Sequence, residues 1–182
     1  IYNTLMVGFC SLSNVDEAFQ LLEKMLKESI TPTVVTFNIL LDGLCRQARI
    51  DEAWMLFQNM DGVVEKTVTT YNTIVKGLCR KRKIEEANSV ISEMLQKGHT
   101  PDVHTYSAMI PVLLKLGRVK EACNILHTMK ENGLPPNTIL VNELMHGLLK
   151  EGKFDDLCGL VWQIIENGFS PDKHTICLII NG

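Results

Sequence analysis

The stretch VTTYNTIVKGLCRKRKIEEANSVISEMLQKGHTPD, residues 68–102, decides the fold of this chain. Its first half carries apolar residues at positions i, i+3, i+4 and i+7 from Tyr71, and its second half repeats this spacing from Ala87. Each set forms one apolar face of a helix. Gly98 and Pro101 close the stretch, and both favour termination of a helix. The stretch therefore predicts two amphipathic helices followed by a sharp stop.

The same pattern recurs along the chain at intervals of 34 or 35 residues. Five units cover residues 1–33, 34–67, 68–102, 103–137 and 138–172, and a partial sixth covers 173–182. Such periodicity is typical of solenoids, in which neighbouring repeats bury a continuous core. The sequence therefore predicts one all-α domain over residues 1–182. We expect a right-handed superhelical α-solenoid of about five stacked antiparallel helix pairs plus one extra helix, with the first helices lining a concave surface.

Glycine recurs at two fixed places in the repeat. One place follows the second helix of each pair (helix B), where a left-handed backbone suits glycine; it holds Gly98, Gly133 and Gly168. The other place lies inside the first helix (helix A) and holds Gly8, Gly43, Gly77 and Gly147. Because glycine inside a helix costs ~1 kcal/mol relative to alanine, we expect a neighbouring helix to approach closely there.

Two units depart from the pattern. Unit 34–67 is one residue short and lacks the Gly and Pro of the joint, so an irregular turn is expected at residues 62–67. Pro111 lies inside helix A of the fourth unit. Proline lacks an N–H and clashes with the carbonyl four residues earlier, here that of Ser107, which predicts a kink between the two residues.

Composition places the chain in the soluble globular class, with 46% hydrophobic and 21% charged residues among 182. No apolar run is long enough to span a bilayer, so no membrane association is expected. The net charge of −3 and the pI near 6.0 are not the bulk signature of a nucleic-acid binder. Acidic pairs begin the helices B, where they suit the positive end of the helix dipole: Asp16-Glu17, Asp51-Glu52, Glu85-Glu86 and Asp155-Asp156.

The six cysteines follow the repeat. Cys10, Cys45 and Cys79 are 35 and 34 residues apart, Cys123 and Cys158 are 35 apart, and no Cys-x-x-Cys pair occurs. Residues in equivalent positions of stacked repeats lie too far apart to form a disulfide or share a zinc ion. We therefore expect core cysteines that act as small hydrophobes, and no metal or cofactor.

The chain shows no catalytic constellation. It lacks the His-x-Glu and Pro-Cys-x-x-Cys signature of zinc deaminases, a phosphate-cradling glycine loop and a nucleophile motif. The sequence therefore predicts a binding protein rather than an enzyme.

Residues 68–102 resemble the pentatricopeptide repeat in its plain 35-residue form, as do VVTFNILLDGLC from Val34 and VHTYSAMIPVLLKLGRVKEA from Val103. Tetratricopeptide repeats have a similar period, but their Trp-x-x-Leu-Gly-x-x-Tyr signature is missing. The resemblance covers the whole chain. It implies single-stranded RNA as the partner, with one base per repeat and the chain running N-to-C along RNA 5′-to-3′. It also implies a mitochondrial or chloroplast location in plants, and a role in RNA processing, stabilisation or translation.

The resemblance also implies which residues read the bases, namely the fifth and the last residue of each repeat. The pairs are Asn3 with Thr33, Asn38 with Thr67, Asn72 with Asp102, Ser107 with Asn137, and Asn142 with Asp172. In the family, Asn with Asp favours uracil, Ser with Asn favours adenine, and Asn with Thr is a loose pyrimidine reader. The implied register is pyrimidine, pyrimidine, U, A, U. Small polar residues at a helix start are also ordinary N-caps, and the residues alone leave both roles open.

Two further sets of residues follow from the resemblance. The second repeat position stacks on bases and holds Val35, Thr69, His104, Ile139 and His174. The two histidines can stack through their imidazoles or lie exposed at helix starts without a ligand. The phosphate-contacting set near the end of helix A is Arg46, Arg80, Lys115 and Lys150, and the first repeat departs from it with Ser11. Solvated surface charge is the alternative for this set, and a basic column on helices A would offset the net negative charge locally.

A protein-binding helical scaffold without an RNA ligand is the alternative function, because it shares the predicted architecture. Large anchor residues on the concave face would favour a protein ligand, whereas Asn, Ser, Asp and Lys favour RNA. The chain begins and stops within repeats, so we expect it to be part of a longer array and five repeats to bind RNA weakly. Self-association is expected through exposed apolar residues of the end helices, such as Met6, Ile176 and Ile179.

Overall fold

The computed structural model describes residues 1–134, 138–150 and 152. Within these ranges all regular structure is α-helical and there is no strand. The helices are α1 Tyr2–Ser11, α2 Val15–Lys27, α3 Val34–Arg46, α4 Ile50–Asn59, α5 Val68–Arg80, α6 Ile84–Gln96, α7 Val103–Lys115, α8 Val119–Glu131 and α9 Thr138–Lys150. Odd-numbered helices are the helices A, and even-numbered helices are the helices B. None of the described helices combines the length and apolar character needed to cross a bilayer.

The chain divides into two compact units, Ile1–Pro101 and Asp102–Gly182. In the first unit α1, α3 and α5 pack successively on one another, and α2, α4 and α6 each pack on the preceding helix A. Helices α2 and α4 also contact the following helix A. In the second unit α7 packs on α8 and α9, and α8 contacts α9. The prediction of one continuous domain stays a prediction.

Helices A supply most of the large core side chains. Leu40, Leu41 and Leu44 of α3 are completely buried, and so are their equivalents in α5 and α7 such as Ile74 and Ile110. Burying each such side chain stabilises the fold by about 1.5–3 kcal/mol. Helices B contribute a completely buried alanine at a fixed position: Ala18, Ala53, Ala87 and Ala122. These small side chains let each helix B lie close against its helix A.

The glycines inside helices A lie where consecutive helices A touch. A Cβ added at Gly43 would stand 2.6 Å from the Cys10 Sγ, and one at Gly147 would stand 2.6 Å from a Leu114 methyl carbon. A Cβ at Gly77 would overlap the Cys45 Sγ in the same way. The expected close approach is therefore confirmed at these three positions. It is wrong for Gly8, because no other described helix approaches its Cβ position within 4 Å.

Cys10 and Cys45 of this contact, and Cys79 at the equivalent position of α5, are buried and form no disulfide, which confirms the prediction for these three cysteines. Burial raises the pKa of the Cys45 and Cys79 thiols to about 12, so both stay protonated at neutral pH. Cys123 is half-buried. Cys158 and Cys177 lie outside the described residues. In the described ranges, no cluster of three or more His, Cys, Asp or Glu is arranged to hold a metal ion.

The joint glycines have the expected left-handed backbone, with φ of 80° at Gly98 and 68° at Gly133; Gly168 lies outside the described residues. The joint after α4 is irregular, as predicted, and begins slightly earlier than expected. Helix α4 has 10 residues, whereas α6 has 13, and a turn occupies residues 60–63 around Gly62 at φ 78°.

Lys66 holds this irregular joint together. It stands one residue before the N-cap of α5, where the regular joint before α3 has Pro32, and only 5% of it is exposed. Its ammonium pairs with Asp61 at 2.8 Å and with Glu93 at 3.1 Å, and it lies 3.9 Å from the centre of the Phe57 ring. A buried cation with two carboxylates and an aromatic face thus replaces the usual proline.

Helix α7 continues from Val103 to Lys115 through Pro111, and because these bounds do not test its curvature, the kink stays a prediction.

The expectation that Met6 is exposed is wrong, because its side chain packs into the core of the first unit and is completely buried. The exposed apolar residues at this end of the chain are instead Leu5 and Val7 of α1, and Leu12 directly after it. Ile176 and Ile179 lie outside the described residues, and self-association stays a prediction.

The contact between consecutive helices A can be tested at two glycines in equivalent positions. We expect Gly43→Ala to lower the free energy of unfolding by roughly 1–3 kcal/mol, because the new methyl group collides with Cys10. Gly8→Ala should raise it by ~1 kcal/mol, because alanine favours the helix and meets nothing. Urea denaturation followed by circular dichroism measures both changes, and effects of the same sign would contradict this packing.

Candidate nucleic-acid interface

Helices α3, α5 and α7 each carry one continuous polar stripe, built from residues i, i+3, i+7 and i+11. At 3.6 residues per turn, these positions lie within roughly 80° of one another around the helix. The stripes are Val35, Asn38, Asp42 and Arg46 in α3, Thr69, Asn72, Lys76 and Arg80 in α5, and His104, Ser107, Pro111 and Lys115 in α7. All these residues are exposed or half-buried. The stripe thus joins a predicted stacking residue, a predicted base-reading residue and a predicted phosphate contact.

The last residue of each of the first three repeats is the N-cap of the following helix A. Thr33, Thr67 and Asp102 take this position in α3, α5 and α7. At α7, the Asp102 carboxylate accepts from the Thr105 backbone N–H at 3.0 Å, and the Thr105 hydroxyl accepts from the Asp102 backbone N–H at 3.0 Å. This reciprocal arrangement is a capping box. The capping role left open by the sequence is therefore real, and any base reading by these residues must coexist with it.

A buried threonine ties the two predicted reading positions of the first repeat together. The Thr36 hydroxyl donates to Asn3 Oδ1 at 3.0 Å and accepts from the Thr33 backbone N–H at 3.2 Å. Thr36 is completely buried, as are Thr70 and Thr105 at the equivalent positions. The sequence reasoning missed these residues, although a threonine three positions after each cap was a visible signal for a capping box.

Two predicted base-reading atoms are buried without a hydrogen-bond partner. These are Oδ1 of Asn38 and Oγ of Ser107, which have none among the described residues. Leaving such an atom unpaired costs about 1–3 kcal/mol unless water or a ligand satisfies it. Both atoms lie on polar stripes, so both are suited to a ligand with hydrogen-bonding edges. Gln47 Nε2 is also unpaired, but it lies beyond the end of α3.

The predicted stacking residues and the remaining base-reading residues differ in exposure. Val35, Thr69 and His104 are exposed in the first turns of α3, α5 and α7, within reach of a ligand. Asn3, Asn72 and Asn142 are half-buried in α1, α5 and α9. Asn137, Asp172, His174 and the side chain of Ile139 lie outside the described residues.

The predicted phosphate contacts are the last residues of their helices. Arg46, Arg80, Lys115 and Lys150 end α3, α5, α7 and α9, and all four are exposed. A cation at a helix C-terminus also stabilises the helix through its dipole. Arg46 differs from Arg80 in one respect, because its guanidinium is paired with Asp42 at 2.7 Å.

A second set of cations, which the sequence reasoning missed, is held on helices B. Arg49, Lys83 and Arg118 are the N-caps of α4, α6 and α8. Arg49 pairs with Glu52 at 2.6 Å and reaches back to Asp16 of α2 at 2.8 Å. Lys83 pairs in the same way with Glu86 at 3.3 Å and with Asp51 of α4 at 3.2 Å.

These ion pairs, which we call the helix-B ladder, place a cation beside an acidic residue at the start of each of α4, α6 and α8. Hydrogen bonding to Arg49 lowers the pKa of Glu52, and Arg118 does the same for Glu121, so both carboxylates stay ionised and paired. Exposed pairs of this kind contribute little stability, typically 0–1 kcal/mol each. Five helix-B carboxylates, those of Asp16, Asp51, Glu52, Glu86 and Glu121, thus pair with Arg49, Lys83 or Arg118. None of these five pairs involves the cations that end α5 and α7.

Comparison with known families agrees with this architecture. A model described as the PPR repeat family matches residues 1–46, 32–62 and 66–115. A second model, described as the pentatricopeptide repeat domain, matches residues 102–151. The chain therefore belongs to the pentatricopeptide repeat family. A search of curated protein sequences gave no significant match.

Solved structures show the same fold. The pentatricopeptide repeat protein PPR10 from maize superposes with a TM-score of 0.90 at 20% identity over 100% of this chain. PPR10 in complex with an 18-nt psaJ RNA element gives 0.73 at 26% identity over 98% of this chain. This chain spans only 26% and 30% of those two chains. The PPR domain of Arabidopsis thaliana protein-only RNase P 1, in complex with tRNA, gives 0.80 at 16% identity, covering 98% of this chain and 94% of that one. The predicted all-α helical-repeat solenoid fold is confirmed.

The buried threonine of the interface can be tested by removing its hydroxyl. Thr36→Val keeps the shape of the side chain but leaves Asn3 Oδ1 and the Thr33 N–H without their partner. We expect the free energy of unfolding to fall by about 1–3 kcal/mol. Thr73→Val is the matched control, because its hydroxyl donates only to the Thr69 carbonyl on an exposed surface, and it should stay within about 0.5 kcal/mol of the parent. Equal effects of the two substitutions would contradict the role given to Thr36.

Proposed function

We propose that this chain binds single-stranded RNA along the polar stripes of its helices A, with one base addressed by each helix pair. The observation that carries the proposal is the stripe itself, which repeats a short polar residue near the start of helix A and a cation at its end. Base edges offer donors and acceptors that match Asn and Ser side chains, and phosphates match the terminal cations. The RNA complexes of PPR10 and of the PPR domain of protein-only RNase P 1 support the same partner.

The proposed base contacts follow the order of the repeats. Asn72 with Asp102, and Asn142 with Asp172, read uracil, whereas Ser107 with Asn137 reads adenine. Asn3 with Thr33 and Asn38 with Thr67 accept a pyrimidine. The unpaired Asn38 Oδ1 and Ser107 Oγ support this proposal, because a base edge would satisfy both. The proposed register is pyrimidine, pyrimidine, U, A, U.

Stacking and backbone contacts complete the proposed complex. Val35, Thr69, His104, Ile139 and His174 pack against the bases, with the imidazoles offering flat faces. Arg46, Arg80, Lys115 and Lys150 contact successive phosphates. The net charge of −3 does not oppose this, because the carboxylates of Glu52 and Glu121 on helices B are held by their own cations. The local field along helices A then governs the approach of RNA.

The proposed biological setting follows from the family. The chain acts as a binding module without catalytic residues of its own, in a plant mitochondrion or chloroplast, and serves RNA processing, stabilisation or translation. If the protein bound no RNA from any pool but captured a protein ligand on the stripes, the scaffold function would replace this proposal.

A code exchange tests the base contacts. Replacing Asn72→Ser together with Asp102→Asn copies the pair Ser107 and Asn137 into the third repeat. Selection from a randomised short-RNA pool should change that position from uracil to adenine, while the neighbouring positions keep their preferences. The unmodified protein, selected in parallel, is the control. Persistent uracil in the double variant would show that the register or the code is wrong.

The phosphate contacts are tested by salt dependence. We expect Lys115→Ala to weaken binding of every RNA about equally and to reduce the slope of log affinity against log salt by about 0.7, the value for one phosphate of a single strand. Lys130→Ala, an exposed change in the last turn of α8, removes the same charge from a helix B and should leave the slope unchanged. A loss of affinity in Lys115→Ala that depends on the base, or identical salt slopes in both variants, would contradict a contact between Lys115 and a phosphate.

A further inference from the structure

One position of the polar stripe has no role in the proposed code. It lies four residues before the terminal cation, so that its side chain is one helical turn from that cation. Its occupants are Val7, Asp42, Lys76, Pro111 and His146. They differ in charge from repeat to repeat, whereas the terminal cation is constant in α3, α5, α7 and α9.

In α3 this position neutralises the terminal cation. Asp42 Oδ2 lies 2.7 Å from the Nε of Arg46, with 44% and 58% of the two side chains exposed. A phosphate approaching Arg46 must therefore compete with a carboxylate already in place, and that carboxylate also repels the phosphate. The pair of Asp42 and Arg46 is favourable for the helix, because an acidic residue four positions before a basic one is the preferred order.

In α5 the same position reinforces the terminal cation. Lys76 and Arg80 are both exposed, and neither makes an ion pair within the described part of the chain. They stand one turn apart on the same stripe. Helices α3 and α5 pack against each other in the first unit. One unit thus places a neutral pair and a doubly positive pair on adjacent helices.

We infer that this position sets how strongly each helix pair holds the RNA backbone, independently of which base it reads. Asp42 weakens phosphate binding by the second repeat because it pairs with Arg46, and Lys76 strengthens phosphate binding by the third repeat. Asp42 is therefore a positioning residue that acts through Arg46, and Lys76 is a further phosphate contact. The inference rests on the proposed RNA binding and deepens it.

The experiment compares two aspartates that each hold an arginine. Asp42→Asn releases Arg46 on the stripe, whereas Asp16→Asn releases Arg49 on the helix-B ladder. Both raise the net charge by one. With a short single-stranded RNA carrying the selected register, we expect Asp42→Asn to bind roughly fivefold more tightly and to steepen the salt slope by about 0.7. Asp16→Asn should bind like the parent.

Arginine substitutions connect the effect to Arg46. In the parent, Arg46→Ala should change affinity less than Arg80→Ala does. In the Asp42→Asn background, Arg46→Ala should abolish the fivefold gain, which a purely structural effect of Asp42 would not produce. Base preferences selected from a random pool should be the same in all variants, and circular dichroism checks that each one folds.

The outcomes separate this inference from the proposed function. Equal gains in Asp42→Asn and Asp16→Asn would reduce the effect to net charge and overturn the inference. So would a parent that binds RNA and an Asp42→Asn variant that binds no better, or a changed base preference. A parent that binds no RNA in any arm would overturn the proposed function, and the inference with it.

Discussion

The contact between consecutive helices A at glycine is the constraint on which the rest of the structure depends. The Cys10 sulfur fills the place of a side chain at Gly43, and Leu114 does the same at Gly147. A Cβ at Gly43 or Gly77 would force the packed groups to shift, because the cysteine that it meets is buried in a closely packed core. The contact therefore fixes the spacing of successive helices within each unit. A fixed spacing is also what a ligand with one base and one phosphate per residue requires.

The residues proposed to read RNA also hold the fold together. Asp102 caps α7, and Asn3 is bonded to a buried threonine that joins the cap of α3. An N-cap contributes about 1 kcal/mol to stability, so a change of base preference at these positions also changes the stability of the helix. Asn38 and Ser107 differ, because their buried polar atoms have no hydrogen-bond partner among the described residues. Some of the proposed base-reading side chains thus also stabilise the fold through hydrogen bonds, whereas Asn38 Oδ1 and Ser107 Oγ make none of these bonds.

Features that recur in every repeat were predicted well from the sequence, whereas features found in a single repeat were not. Helix positions, the conformation of Gly98 and the burial of Cys45 all follow from periodicity, because one rule applies to every unit. The ion pair between Asp42 and Arg46 and the buried cation Lys66 depend on single substitutions that a repeat pattern averages out. The role of Thr36 was missed for a different reason: a capping threonine is visible in the sequence, but its bond to Asn3 crosses between repeats and needs the fold.

The most direct test of the central claim is a map of where RNA touches the protein. NMR spectra of the isotope-labelled chain would be recorded during titration with a short RNA of the selected register. If RNA binds along the polar stripes, the largest shifts occur at the side-chain amides of Asn38 and Asn72 and at the ends of α3 and α5, and shifts around Arg49 and Lys83 on helices B are small. Shifts concentrated on helices B, with the asparagine amides unmoved, would contradict binding along these stripes.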